Sequence, residues 1–350
     1  MTHGGNVWAG RSPADWLDYS ANVRPDGPPD WVREALNRAV DVVAYYPQVS
    51  MERARAALGA FLHLPPERVL PTAGGISAIS LAVHLDAERV RIPAPTFIEY
   101  GELSERGGLT VERVPIIGKD HAILSPAQAL GEGLREHSCI WLCNPENPIG
   151  VGFSPDQILE LLELAEQKNG WLVVDEAFIE YCPENTLIGL IGRRERLLIT
   201  GSMTKILGIP GARLGYLCGG EVLRRLEKYQ NPWELNCFAE SVLLALPENA
   251  ATIAAETQRN KAAREEFIPA LESLGVYVYP SSANFVLCDF GRQVRPIEDL
   301  LYERGVLVRR CMNFPGIDDG RHLRLAVKDR ATNERFISIL KEVLACAENH

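Results

Sequence analysis

The stretch 138-SCIWLCNPENPIGVGFSPDQILELLELAEQKNGWLVVD-175 decides the fold class. It opens on an apolar run, Ser138-Cys139-Ile140-Trp141-Leu142, and closes on another, Trp171 to Asp175. Short apolar runs of this kind read as buried strands. Between them lies a helix with its own start and stop signals. Ser154 is placed to cap it, Pro155 fits its first position, and Gln157 completes a capping box. Ile158, Leu161, Leu162 and Ala165 recur at helical spacing, and Gly170 is expected to end the helix. Strand, helix and strand, with apolar strands, imply a mainly parallel sheet covered on both faces. In such sheets ligands bind beyond the carboxyl ends of the strands.

Further strands of the same kind lie on either side, at Val90-Arg91-Ile92-Pro93 and 197-LLIT-200. After about residue 235 the pattern changes. A long polar helix near 247–274 precedes 276-VYVYP-280 and 284-NFVLCDF-290. A helix near 296–304, a strand at 306-VLVRR-310, and a last strand and helix from Leu323 follow. The expectation is an α/β fold in two parts: a large domain at 41–235 with a mainly parallel central sheet, and a smaller α+β domain at 236–350. Residues 1–40 are rich in Pro, Gly and Asn and are expected to pack as an arm against the smaller domain.

Bulk properties narrow the function classes. The chain has 350 residues, 46% of them hydrophobic, enough for a sizeable core. Lys and Arg total 36 against 46 Asp and Glu, a formal net charge of −10, and no basic run suggests a nucleic-acid face. No apolar run approaches membrane-spanning length, and Met1-Thr2-His3-Gly4-Gly5 does not read as a signal peptide. Eight scattered cysteines without CxxC spacing suggest buried thiols in a reducing, cytoplasmic setting, with no metal site.

Four features fall at strand ends or helix starts. In 72-TAGGISA-78 a glycine pair opens a helix, which is compatible with a structural turn or a phosphate-binding helix start. In 144-NPENPIG-150, Asn147 before Pro148 can aim an amide at a ligand, or simply sit in a turn held by prolines. In 175-DEAF-178, Asp175 ends an apolar strand, where a carboxylate needs a cationic partner unless it is a surface cap. In 201-GSMTKILGIPGARLGY-216, Lys205 lies among Met203, Ile206 and Leu207, a costly place for an ammonium. Ser202, Thr204 and Arg213 could bind a dianion beside it. Pyridoxal phosphate asks for all four together: a lysine for its aldehyde, a carboxylate for its ring nitrogen, a donor for its 3-oxygen and a phosphate cup.

With these residues in place, the sequence resembles the fold-type I pyridoxal-phosphate enzymes of the class I/II aminotransferase superfamily. The resemblance covers nearly the whole chain, and the order Asn147, Asp175, Lys205, Arg213 matches. It implies that Lys205 is the Schiff-base lysine, that Asp175 pairs the pyridinium and that Asn147 bonds the ring 3-oxygen. It assigns the phosphate to Ser202, Arg213 and the amides of Gly75 and Ile76. Tyr100, in 95-PTFIEY-100, fits the aromatic that stacks on the ring. Tyr46 fits the tyrosine that reaches a neighbouring subunit's cofactor phosphate, implying a homodimer with shared active sites.

Within the superfamily the pattern is most similar to the threonine-phosphate decarboxylases, with histidinol-phosphate aminotransferases as close relatives. The motifs are 3-HGGN-6, 18-DYSANVRPDGPP-29, 232-PWELN-236 and 309-RRCMNFPGIDDGRHLRLAV-327. Some residues depart from the pattern. Glu146 and Ile149 interrupt the usual N-P-N-N-P-T-G, Phe178 stands where the aminotransferases have tyrosine, and Arg24 replaces a neutral residue and is expected to add cationic charge near the substrate loop. The resemblance implies that Arg324 binds the substrate carboxylate and Arg309 a second anionic group, with His3 and Asn22 in a substrate-phosphate lid. Arg310 is expected to point away from Arg309. The substrate implied is a small phosphorylated amino acid that loses carbon dioxide. The alternatives are an aminotransferase acting on a phosphorylated amine and, from another class, a non-catalytic cofactor-binding module.

Overall fold

The computed structural model describes residues 4–8 and 10–347. A short strand, β1 (Leu17–Asp18), comes first. Seven strands then build the large sheet: β2 (Val69–Thr72), β3 (Arg89–Ala94), β4 (Thr110–Pro115), β5 (Ser138–Cys143), β6 (Trp171–Asp175), β7 (Leu197–Ser202) and β8 (Gly215–Gly219). The C-terminal part adds β9 (Tyr277–Val278), β10 (Phe285–Asp289), β11 (Val306–Leu307), β12 (Arg309–Arg310) and β13 (His322–Ala326).

The large sheet runs β2-β8-β7-β6-β5-β3-β4. All neighbours are parallel except β8, which is antiparallel to both β2 and β7. β5, β6 and β7 are buried along their whole length, as their continuous apolar runs require. β4 closes one edge with exposed polar residues, among them Glu112 and Arg113, which discourage further pairing. The α/β architecture expected from sequence, with a mainly parallel central sheet, is the one observed.

The helix between β5 and β6 spans Pro155–Gln167, with both halves of the Ser154–Gln157 capping box formed. Its end differs from expectation. The left-handed residue is Asn169 (φ 49°) rather than Gly170. Asn169 N–H bonds Glu166 O and Gly170 N–H bonds Ala165 O, a Schellman ending with asparagine in the usual glycine place. Gly170 is needed for another reason: a Cβ there would lie 2.5 Å from Ser138 O.

A four-stranded antiparallel sheet, β12-β13-β10-β9, carries the second core. Tyr19, Phe267 and Phe336 pack together there, and the Tyr19 hydroxyl donates to Asn333 Oδ1 at 2.9 Å. The segment 306–310, expected as one strand, is two. Val306 and Leu307 pair in parallel with β1, whereas Arg309 and Arg310 join β13, so the hydrogen bonds change sheets at Val308. Packing crosses the boundaries expected at 40/41 and 235/236. Val32, Ala35, Ala239, Val242 and Leu243 all belong to the larger core. Among the described residues no helix is long and apolar enough to cross a membrane.

Glu180 provides a test of the interior. It is buried, its Oε2 has no hydrogen-bond partner, and burial pushes its carboxyl up to about 8. The folded-state value lies above the ordinary 4.5, so the stability it contributes is complete below about pH 4.5 and is lost as pH rises through about 8. Calorimetry should show Glu180→Gln melting above wild type at pH 9, by about 2 °C, and level with it at pH 4.

Candidate active site

Three adjacent strands deliver three of the site residues to one edge. Cys143 of β5 lies opposite Asp175 of β6, which lies opposite Thr200 of β7. The loop after β5 carries Asn147, β6 ends on Asp175, and the turn after β7 carries Lys205. They line a cavity of about 230 Å³ together with Gly75, Ile76 and Arg213. Asn22, Arg309 and Arg324 line its other side.

Lys205 sits among apolar neighbours, and its ammonium is pulled down to about 8 by burial and by the charges of Arg324 and Arg213. A deprotonated amine is therefore accessible near neutral pH, which a carbonyl-attacking lysine requires. The Arg24 backbone N–H donates to Lys205 O at 3.0 Å and braces this turn. The Arg24 side chain does something other than expected. It pairs with the buried Glu256 at 3.4 Å, which absorbs its charge.

Asp175 is buried and accepts from two neutral donors, with the Lys205 charge nearby. The Tyr100 hydroxyl donates to Oδ2 at 2.6 Å and the Ala177 N–H to Oδ1 at 3.1 Å. Burial raises the carboxyl, and the Tyr100 bond and the Lys205 charge oppose that rise. Tyr100 lines the cavity. Its ring is fully buried and stacks on Trp141 at 5.0 Å, and its hydroxyl is committed to Asp175. The half-buried aromatic of the same segment at the cavity is Phe97, set edge-on to Tyr100. Sequence reasoning missed Phe97, although it lies in the same 95-PTFIEY-100 motif.

Gly75 and Ile76 open the helix Gly75–Ala82, so their amides have no intrahelical acceptor. Ser202 lies against Gly75, and its hydroxyl bonds that of Thr204 at 2.8 Å. Gly74 has φ 83°, and a Cβ there would lie 2.6 Å from Arg213 Nη2, so glycine is required where Arg213 crosses the helix start. Glu234 was also missed. From 232-PWELN-236 its carboxylate accepts the Ala73 N–H at 3.1 Å and the Ser77 hydroxyl, pinning the turn before this helix.

Arg309 and Arg324 are Cα partners across β12 and β13, so both side chains leave the same face of the sheet toward the cavity. Arg324 is buried and donates to Asn147 Oδ1 at 2.7 Å and to Ser20 O at 3.0 Å. Its Nε is buried without a partner. Burial, with Arg309 adding to it, lowers the guanidinium to about 10. Arg309 donates to Arg310 O and Asn313 Oδ1 and lies over the Phe314 ring. Arg310 does turn away, to an ion pair with Glu298 at 3.1 Å.

Asn22 is buried at the cavity, and its Oδ1 lacks a partner. Gly4 of the HGGN motif packs so closely on this loop that a Cβ would lie 2.0 Å from Ser20 O. His3 lies outside the described residues. Phe178 forms an apolar wall, edge-on to Phe285 at 5.0 Å. Tyr46 lies away from its own chain's cavity, 82% exposed, with its ring against Trp233.

Residues 14–340 match the family described as Aminotransferase class I and II. The chain belongs to this family. Members of the class I and II aminotransferase family depend on pyridoxal phosphate. The chain is 32% identical to threonine-phosphate decarboxylase of Salmonella typhimurium, over 98% of this chain and 96% of that one. It is 31% identical to histidinol-phosphate aminotransferase of Symbiobacterium thermophilum, over 94% and 91%. Among solved structures, histidinol-phosphate aminotransferase from Sinorhizobium meliloti in complex with pyridoxal-5'-phosphate superposes with a TM-score of 0.81 at 21% identity, covering 93% of this chain and 90% of that one.

The cavity fits the cofactor of the class I/II family on its own chemistry. It holds a lysine with a depressed ammonium, a buried carboxyl behind it, and a glycine-built helix start beside a serine and an arginine. Arg324 has only donors, so the Asn147 oxygen that faces it fixes the amide orientation and leaves Asn147 Nδ2 free to donate elsewhere.

Proposed function

We propose that the protein decarboxylates a phosphorylated amino acid, with L-threonine O-3-phosphate as substrate and (R)-1-amino-2-propanol O-2-phosphate, a cobalamin side-chain precursor, as product. The observation that carries the reading is the pair of cavity-facing arginines, Arg309 and Arg324, paired across one strand ladder. A substrate with both a carboxylate and a phosphate needs two cationic partners, and a planar guanidinium suits either group. The 32% identity to threonine-phosphate decarboxylase supports the same substrate class.

In this reading Lys205 would tether the cofactor, Asp175 would hold the proton at its ring nitrogen, and Asn147 would donate to its 3-oxygen. Gly75, Ile76, Ser202, Thr204 and Arg213 would hold its phosphate, and Tyr100, which also bonds Asp175, would border its ring with Phe97 beside it. When bound, pyridoxal phosphate supplies an electron sink conjugated to the substrate amine. The residues around the substrate would choose the reaction by orienting it. Arg324, Arg309 and Asn22, with His3, would set that orientation, and Phe178 contributes an apolar surface. Lys205, which lines the same cavity, would return a proton to Cα in place of the lost carboxyl group.

The unit in solution is read as a cytoplasmic homodimer with shared active sites. Tyr45, Tyr46, Val42, Val43 and Val49 form an exposed apolar patch suited to a second copy. Eight free cysteines fit a reducing compartment. The competing activity is amino transfer from histidinol phosphate, which the 31% identical relative carries out under that name. A panel of L-threonine O-3-phosphate, L-serine O-phosphate and unphosphorylated L-threonine tests the substrate class. Carbon dioxide should be released from the phosphorylated acids at least about 100-fold more efficiently than from L-threonine. Equal rates would remove the role given to the second arginine.

A further inference from the structure

Glu146 is a buried carboxyl that the mechanism above does not use. It sits in the loop that delivers Asn147, and its backbone is pinned at both ends: its N–H donates to Val151 O at 2.8 Å and its O accepts from Gly150 N–H at 2.6 Å. Its side chain reaches across to the segment after β3. Oε1 accepts the Thr96 hydroxyl at 2.6 Å and the Asn147 backbone N–H at 3.1 Å. Oε2 is buried without a partner, and none of the influences on this carboxyl comes from a cation. Glu146 therefore joins two segments that face the cavity, one carrying Phe97 and Tyr100 and the other carrying Asn147.

A buried carboxylate with two neutral donors and no counter-charge is costly, and a neutral acid is not. Burial pushes Glu146 up to about 8, and Asp175 nearby adds to the rise. One buried anion, Asp175, is what a protonated ring nitrogen needs; a second would compete for the same proton.

We propose that Glu146 is a positioning residue, held as a neutral acid, which locks the Asn147 loop to the Thr96–Tyr100 segment and so fixes the Asn147 amide toward the cofactor ring. This rests on the reading that Asn147 faces the ring 3-oxygen. With Oδ1 committed to Arg324, the Asn147 N–H2 has one direction left, and the Glu146 bond to its backbone fixes the peptide from which it projects.

The test uses the cofactor-loaded protein without substrate. An amide that donates to the ring oxygen favours the form in which that oxygen is bare, so it lowers the pH midpoint of the visible absorption band. Glu146→Ala should raise the midpoint by about one pH unit, a tenfold change in the proton equilibrium. It should also lower kcat about tenfold with a smaller change in KM. Glu146→Gln keeps both accepted bonds and should return the midpoint close to wild type. If Glu146→Ala does not fold, Thr96→Val removes the hydroxyl without opening a large cavity and should move the midpoint the same way. A visible band that stays at the wild-type midpoint in the folded variants overturns the positioning role alone. A midpoint displaced as far in Glu146→Gln as in Glu146→Ala overturns the neutral-acid state. A wild-type protein with no visible band overturns the assignment of the cofactor site itself, and this proposal with it.

Discussion

Lys205→Ala is expected to bind pyridoxal phosphate without forming the lysine-linked visible band, and to lose turnover by at least about 10³-fold. The loss combines two roles on one side chain. Among the described residues that line the cavity, Lys205 is the only lysine, and its ammonium is depressed to about 8. In the proposed reading, removing it would delete both the covalent tether and the proton donor for Cα. The seat at Gly75, Ser202 and Arg213 remains, so cofactor affinity should weaken rather than vanish, and the fold should survive. The depressed value also gives a direction. Attachment of added cofactor to stripped wild-type protein should quicken as pH rises through about 8, because the neutral amine is the nucleophile. Stopped-flow absorbance reads both effects. Substantial turnover in Lys205→Ala would place the chemistry elsewhere.

Arg324→Ala is expected to cost about 10²- to 10³-fold in kcat/KM, the range for removing a buried, hydrogen-bonded charge that contacts a ligand. Arg324 supports the site in two ways. It contributes a buried guanidinium to the cavity, where the proposed substrate would bind, and it donates to Asn147 Oδ1 at 2.7 Å and Ser20 O at 3.0 Å. Substrate binding and cofactor-ring contacts should therefore fail together, with KM rising and kcat falling. Arg324→Lys keeps a charge but cannot hold both oxygens with a planar fork, so it should recover only part of the loss. An Arg324→Ala enzyme with wild-type kcat and a raised KM would confine the residue to binding.

Much of the architecture is legible in the chain because its signals are local. The apolar runs that become β5, β6 and β7 are buried on both sides, so they carry no alternation to misread. The Ser154–Gln157 capping box appears where sequence places it. What escaped depends on contacts between distant segments. Tyr100 lies in a motif that faces the cavity, but its stack on Trp141 and its bond to Asp175 join it to segments far away in the chain. Arg24 looks cationic until Glu256, more than two hundred residues later, is found against it. The division of 306–310 between two sheets follows from β1, a partner two residues long. The pairing of Arg309 with Arg324 is a matter of register across that break. No periodicity in the sequence encodes it.

The reading of the site as a decarboxylase is most directly tested by the fate of the substrate carboxyl group. Purified, cofactor-loaded protein is incubated with carboxyl-labelled L-threonine O-3-phosphate in the absence of any keto acid. Labelled carbon dioxide and 1-amino-2-propanol O-2-phosphate should form in equal amounts over many turnovers. Retention of the label, with glutamate produced only when histidinol phosphate and 2-oxoglutarate are supplied together, would contradict decarboxylation and identify an aminotransferase.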